Sequence, residues 1–416
     1  MNKFRISFVF FLIAQISCYA QRLYKEVSLG MPIMLCNEPA IAINPNQKNK
    51  VLIASNVKHI FSSKNGGVRF KHKKVHSSLG IYGDPVLMYW GDDCYYIHLA
   101  KSSNSKWPDW FDQIVIQKSK NHGKNWNDGI GIGKNGKMHD KPWIAIDPNA
   151  RSPYYQSIYI TWTQFDKYES KDSKDSSRIL FSKSTDLANT FSEPIVISDL
   201  SGDCLDNDFT VEGATSCTGP QGEIYCAWAG HEHLYFDKSL DGGNTWGKDK
   251  IIMDIPKGWD LDVPDFLRTN GLPFLSSDAK GSLYICTAFE ENGYNKVYVS
   301  TSEDGGHTWS VAKALQSDDK THYMMPHAYL DYTTGNYFVL YHEVKNNKVN
   351  ILLSYKLASS KSFKTIQVNE KTFNAPGKGV FFGDYINVCA VGNAVSMVWT
   401  EPKGFSTILK TRRLQL

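Results

Sequence analysis

Ser239-Leu240-Asp241-Gly242-Gly243-Asn244-Thr245-Trp246 is the stretch whose reading decides the fold, because it returns as Ser302-Glu303-Asp304-Gly305-Gly306-His307-Thr308-Trp309. The shared pattern is Ser-x-Asp-x-Gly-x-Thr-Trp. Near copies run from Ser119 to Trp126, with Asn121 for Asp and Asn125 for Thr, from Ser184 to Phe191, with Ala188 for Gly, and from Ser63 to Phe70, with Asn65 for Asp. A worn sixth copy ends at Phe363. The pattern encodes a tight hairpin: Ser, Asp and Thr side chains bond nearby backbone groups, Gly permits positive φ, and the aromatic plugs the turn into a core.

Between these turns a second feature recurs, a polar or acidic residue, usually a proline, and then an apolar strand. It opens at Glu38-Pro39, Asp84-Pro85, Lys141-Pro142 (preceded by Asp140), Glu212-Gly213, Leu272-Pro273, Met325-Pro326 and Asp384-Tyr385. Each opening leads through a turn to a second apolar strand, a third that enters the Ser-Asp-Gly-Thr-Trp turn, and a fourth that leaves it. Four short antiparallel strands per unit is the plan of a propeller blade. The last unit stops after its third strand, Phe405 to Arg412, and the missing outer strand is supplied by Leu23 to Leu29. The expectation is an all-β, seven-bladed β-propeller of four-stranded antiparallel blades closed by the N-terminal strand, with six blades as the alternative.

The repeated turn resembles the Asp box, or BNR repeat, of the sialidase superfamily, and its copies span most of the chain. The resemblance implies a β-propeller active on glycans. That superfamily usually has six blades and clamps its substrate carboxylate with three arginines. Here the openings count seven and the arginine triad is missing, so blade number and histidine content also resemble seven-bladed uronate lyases of the ulvan type.

Met1 to Ala20 carries Lys3 and Arg5, then the apolar run Phe8 to Ala14, and reads as a secretory signal cut after Ala20. A lipoprotein cut before Cys18 is the rival, with Gln15 a poor fit. Residues 21–416 then form one domain, secreted or periplasmic, with no span long enough to cross a bilayer. The formal charge of +4 falls to +2 without the leader, which argues against nucleic acid as a partner. Seven cysteines remain, an odd number with no zinc spacing. A monomer is expected.

In a propeller the strand openings ring one mouth of the central channel, where a ligand site is the default. The openings supply Glu38, Asp84, Asp140, Glu212 and Asp384, carboxyls suited to acid–base work or to holding sugar hydroxyls. His59, His98, His139, His231, His233, His322 and His342 map near the same rim. Arg268 and Arg178 are the arginines that map there, Trp143 and Trp259 flank the channel, and Trp107, Trp110 and Phe111 lie in a long loop of blade two. The sequence therefore assigns His139, His231, Glu212, Asp84 and Asp140 to catalysis. Arg268, Arg178, Glu38, Asp384, His98, Trp143 and Trp259 are assigned to substrate. His231-Glu232-His233 is too weak a pattern to assign a metal, and no cofactor is called for. The resulting expectation is an enzyme on acidic, uronate-bearing poly- or oligosaccharides working by β-elimination, as a lyase or dehydratase. A sialidase-like glycosidase using rim carboxylates and a non-catalytic glycan-binding propeller are the alternatives.

Overall fold

The structure is a computed structural model that describes residues 21–31, 34–101 and 111–416. It is all β: seven antiparallel sheets follow one another along the chain. Blades one to six occupy residues 40–74, 83–132, 138–196, 212–254, 274–314 and 322–374. Blade seven takes three strands from the C-terminal end, Asn387–Val391, Ala394–Lys403 and Ser406–Gln415. Its outer edge comes from the other terminus, where Val27 pairs with Thr411 and Arg22 with Gln415. The closure expected from the sequence is the closure observed. Lys410 reaches Glu26 at 2.7 Å and the Tyr24 amide donates to the Arg413 carbonyl at 2.9 Å, fastening the seam. Among the described residues no helix is long and apolar enough to cross a membrane. All seven described cysteines are free, and six are buried.

Burial falls from the axis outward. The second strand of blade three, Ile158–Phe165, is buried at every position because neighbouring blades cover both its faces. Outer strands such as Lys71–Lys74 and Ile195–Val196 are exposed throughout. That gradient is why the inner strands read as continuous apolar runs.

The repeated turns lie at the far end of the blades from the strand openings and join adjacent blades. In blade four, Asp241 accepts from the amides of Asn244 and Thr245 at 3.0 and 2.9 Å and from the Thr245 hydroxyl at 2.6 Å. Ser239 Oγ donates to Asp241 at 2.8 Å and accepts from the Gly243 amide at 2.9 Å. Trp246 then packs edge-on to Phe181 of blade three, and Trp309 does the same to Phe236 of blade four. Lys183 and Lys238 each reach forward to a carbonyl of the next blade's turn, at 2.8 and 2.9 Å. A Cβ on Gly243 or Gly306 would collide with Phe181 or Phe236, and both glycines sit at φ near +81°, so glycine is required twice over.

At the opposite end, five innermost strands open with a residue in the left-handed region: Glu38, Asp84 and Met325 at φ +48°, Lys141 at +49° and Gly213 at +72°. Proline follows four of them. The pairing slips by a bulge at Gly83/Val86, Asp140/Trp143, Glu212/Thr215 and Met324/His327. Four non-glycine residues held in this conformation represent strain that the surrounding structure must support, and bulges re-aim side chains.

Asp241→Ala should destabilise the fold by about 1–3 kcal/mol, measured by denaturant titration, through loss of these hydrogen bonds. Thr245's hydroxyl and amide hold the Asp241 carboxyl down at about 2. Its contribution is therefore complete above the unfolded value near 4 and fades as pH drops toward about 2. The variant should lose that part of the acid dependence.

Candidate active site at the channel mouth

The strand openings, with the loop of Asp206 and the segment of Arg268, bring six carboxyls and two cations together across distant parts of the chain. Arg268, from the segment before blade five, donates through Nε to Asp384 Oδ1 at 2.9 Å and through Nη2 to Asp384 Oδ2. Its Nη1 donates to Asp206 at 2.6 Å. Lys141 lies below and donates to Asp384 at 2.7 Å, with Asp84 at 3.9 Å. The Asp384 amide donates to Glu38 at 3.2 Å, and Asn56 donates to the other Glu38 oxygen while accepting from the Asp84 amide at 3.2 Å. Asp206 also accepts from Tyr168 at 2.5 Å and from the Trp259 indole at 2.9 Å.

These carboxyls divide into two classes. Burial would raise Asp384, but Arg268 and Lys141 outweigh it and hold this group below the usual carboxylate range. Asp206 is likewise buried and lowered by the same two cations. The others go the other way. Burial, opposed by Lys141 and reinforced by Glu38, pushes Asp84 up to about 6. Burial pushes Asp140 well above the usual range, with Asp84 adding to it. Asp140 and Asp84 interact through a side-chain hydrogen bond, so one of the two must carry the proton. Glu212 is fully buried beside Asp206 and Asp140 and is raised for the same reasons. Both of its oxygens are buried without a hydrogen-bond partner. Glu38 is raised by burial and by Asp384.

Below this layer the channel narrows between Asp84, Lys141, Trp143, Phe274, His327 and Tyr385, around a small cavity of ≈ 50 Å³. Trp143 meets Phe274 edge-on at 5.5 Å and donates its indole N–H to the Ser216 carbonyl at 3.2 Å. Above it, Tyr82 and Phe381 stand 46% and 44% exposed, rings available to a sugar face, and the Arg268 guanidinium lies 5.9 Å from the Phe381 ring.

The structure thus gathers Glu38, Asp84, Asp140, Glu212, Arg268, Asp384 and Trp259 in one network, with Trp143 beneath. Other assigned residues lie elsewhere. His139 is turned away from Asp140 into the core, accepts from the Trp162 indole at 2.7 Å and is pushed down to about 4 by burial. His98 is buried, bonded to the Leu99 carbonyl, and also pushed down to about 4. His231 contacts the Ser201 carbonyl at 3.1 Å and Phe209. Arg178 is committed to Asp166, Gln164 and Ser176. His139 and His98 are not rim bases because strand periodicity turns them into the blade interior, and His231 sits on a turn over Phe209. Arg268 is not a free clamp either: all three of its nitrogens face the protein's own carboxylates. Trp107 and Trp110 lie outside the described residues, and Phe111 packs 6.2 Å from Tyr82.

Lys141, Asp206, Tyr168 and Asn56 belong to the mouth although no assignment from the sequence includes them. Lys141 had a signal: it occupies the same pre-proline position as Glu38 and Asp84. Asp206 had none beyond the acidic run Asp206-Asn207-Asp208, because its loop reaches the mouth only by folding back over blade three, where Gly202 bridges to Ser177.

Lys141→Met should cost about 3–5 kcal/mol in chemical denaturation, since it strips a buried cation from Asp384 and Asp84. A second outcome concerns pH. The folded chain holds the Asp84 proton to about 6, whereas the unfolded chain releases it near 4. Stability should therefore fall as pH rises between these values and then level off, and Asp84→Asn should flatten that segment of a melting-temperature profile.

No protein-family model and no curated protein matches the sequence. Among solved structures the chain is similar to a protein of unknown function from Dyadobacter fermentans, with TM-score 0.54, 13% identity and 95% and 99% of the two chains covered. It is also similar to the ulvan lyase PL25 bound to -[GlcA(1-4)Rha3S]-, with TM-score 0.54, 13% identity and 92% and 95% covered. The NanB sialidase of Streptococcus pneumoniae gives TM-score 0.52, 9% identity and 88% and 83% covered. At these identities the likeness is one of fold: a β-propeller shared with a polysaccharide lyase and a sialidase.

Proposed function

We propose that the protein is a glycan-active enzyme whose chemistry runs on the carboxyl pair Asp84 and Asp140. The observation that carries this reading is a pair of neighbouring carboxyls, Asp84 and Asp140, buried at the narrowing of the channel and both raised by that burial. Asp140, whose carboxyl burial pushes well above the usual range, serves as the donor to a leaving glycosidic oxygen. Asp84, ionised above about 6, accepts a proton from the attacking water. Environments that separate two carboxyls in this way create an acid and a base from one residue type. Lys141 and Arg268 act by holding Asp384 ionised and the mouth rigid. Tyr82 and Phe381 offer stacking faces.

β-Elimination calls for a histidine or tyrosine base: His139 and His98 are buried away from the carboxyls, whereas Tyr168 stands against Asp206 and Arg268 at the mouth and Tyr385 lines the channel below it. Hydrolysis would instead draw on the carboxyls alone. A uronate-bearing glycan remains the first substrate class to try, since the fold is shared with a lyase bound to a glucuronate-containing chain.

Acidic and neutral oligosaccharides incubated in ¹⁸O-labelled water and analysed by mass spectrometry separate the chemistries. Hydrolysis places label in the product, and elimination gives an unsaturated, unlabelled one. Asp140→Asn should lower kcat/KM by about 10²- to 10⁴-fold with the melting temperature retained. Wild-type activity should rise as pH passes about 6. Binding without turnover by every substrate class would refute the enzymatic reading.

A further inference from the structure

The small net charge conceals a strong asymmetry. Residues 39–83, which hold all of blade one, contain no Asp or Glu, yet carry Lys48, Lys50, Lys58, Lys64, Arg69, Lys71, Lys73 and Lys74. Seven of these eight are exposed, Lys50 being half-buried. Among the described residues none of them stands in an ion pair, although lysines and arginines of other blades do.

The charge is concentrated on one edge. The outer strand Lys71–Lys74 reads Lys-His-Lys-Lys, exposed at every position. No other outer strand among the described residues carries more than one cation: these are Ile130–Ile132, Ile195–Val196, Lys250–Asp254, Lys313–Ala314 and Lys364–Gln367, with Arg22–Leu23 and Val27–Leu29 in blade seven. Lysines on an edge strand do block unwanted pairing, but the other blades achieve this with one or none.

The patch is continuous with the mouth. Lys58 closes the turn Asn56-Val57-Lys58, and its carbonyl accepts from the Val75 amide at 2.9 Å, directly after Lys74. Asn56 in that same turn binds Glu38 and the Asp84 amide at the mouth. Val57 between them is exposed. From the turn, the outer strand leads down toward Arg69 and Lys64 in the repeated turn at the opposite end. Lys71 to Lys74 alone cover about 10 Å of backbone.

We propose that the outer edge of blade one is a secondary binding surface for an anionic polysaccharide, holding the polymer as it leaves the channel mouth over the Asn56–Lys58 turn. The identification of the polymer as glycan rests on the function proposed above; the preference for a polyanion rests on the charge alone. The surface has no exposed aromatic platform at its lysines, so it grips by charge and reads spacing of negative groups weakly. Binding should therefore fall steeply with salt.

The test uses the full chain and a variant carrying Lys58→Gln, Lys71→Gln, Lys73→Gln and Lys74→Gln, all at exposed positions. Calorimetric titration measures binding of a sulfated uronate polysaccharide, an unsulfated uronate polysaccharide and a single-stranded DNA of matched charge. The wild type should bind the polysaccharides, and the variant should bind at least about tenfold more weakly at low salt, with a shallower dependence of log K on log salt, by analogy with counterion release from other polyanions. Binding is read without turnover, so its result is independent of whether the mouth is catalytic. If turnover is found, the variant should raise KM for polymer and leave short oligosaccharides unchanged. Equal binding by variant and wild type, or no polysaccharide binding by the wild type, would overturn the surface. Tighter binding of the DNA than of either polysaccharide would overturn the glycan assignment.

Discussion

The short ladder between Val27–Leu29 and Leu409–Thr411 is the constraint on which the rest of the molecule depends. A propeller blade buries its faces only against neighbours, so an open chain of six and three-quarter blades would leave two apolar blade faces in water. Closing the ring covers both. It also gives the seven innermost strands a common axis, and every property of the mouth follows from their convergence there.

Convergence creates an electrostatic problem that the side chains solve. Six carboxyls drawn into one low-dielectric throat cannot all ionise. Two are stabilised as anions by Arg268 and Lys141, which join blades three, five and seven across 116 and 243 residues of sequence. The others are pushed the opposite way, by burial first, and hold their protons to higher pH than an exposed carboxyl does. A cluster that divides in this way holds both a donor and an acceptor at moderate pH, which is what acid–base chemistry needs. The same division accounts for the role of Arg268. A guanidinium whose fork is filled by its own protein's carboxylates organises a site and leaves the reading of substrate to other groups.

The two ends of the blades carry opposite kinds of conserved-looking regularity within this one chain. The Ser-Asp-Gly-Thr-Trp turns spend their polar groups locally and their aromatics on the preceding blade, so they staple the ring. The kinked openings spend theirs across the axis. Blade one adds a third element, an unpaired cationic edge that the overall charge of the chain does not reveal because acidic residues in other blades cancel it.

The fold was legible because its signals are local. Asp241 with Thr245, a glycine with its positive φ, and proline after the kinked residue each report their own few residues, and repetition made the blade count and the closing strand readable. The carboxyl set of the mouth was legible for the same reason, since Glu38, Asp84, Glu212 and Asp384 recur at strand openings. What the sequence could not determine was direction and partnership. His139 and Asp140 are adjacent in the chain, yet one enters the core against Trp162 and the other faces Asp84, because successive strand residues point to opposite sides. Lys141 holds the pre-proline kinked position that Glu38 and Asp84 hold in their blades, and its cation is what neutralises the throat, a role its position alone does not announce. Arg268 meets Asp384 and Asp206, not a free ligand, because only ring closure brings those blades together. Local hydrogen bonding and periodicity act within a few residues and are written in the chain; the pairing of charges across a closed ring is decided in three dimensions.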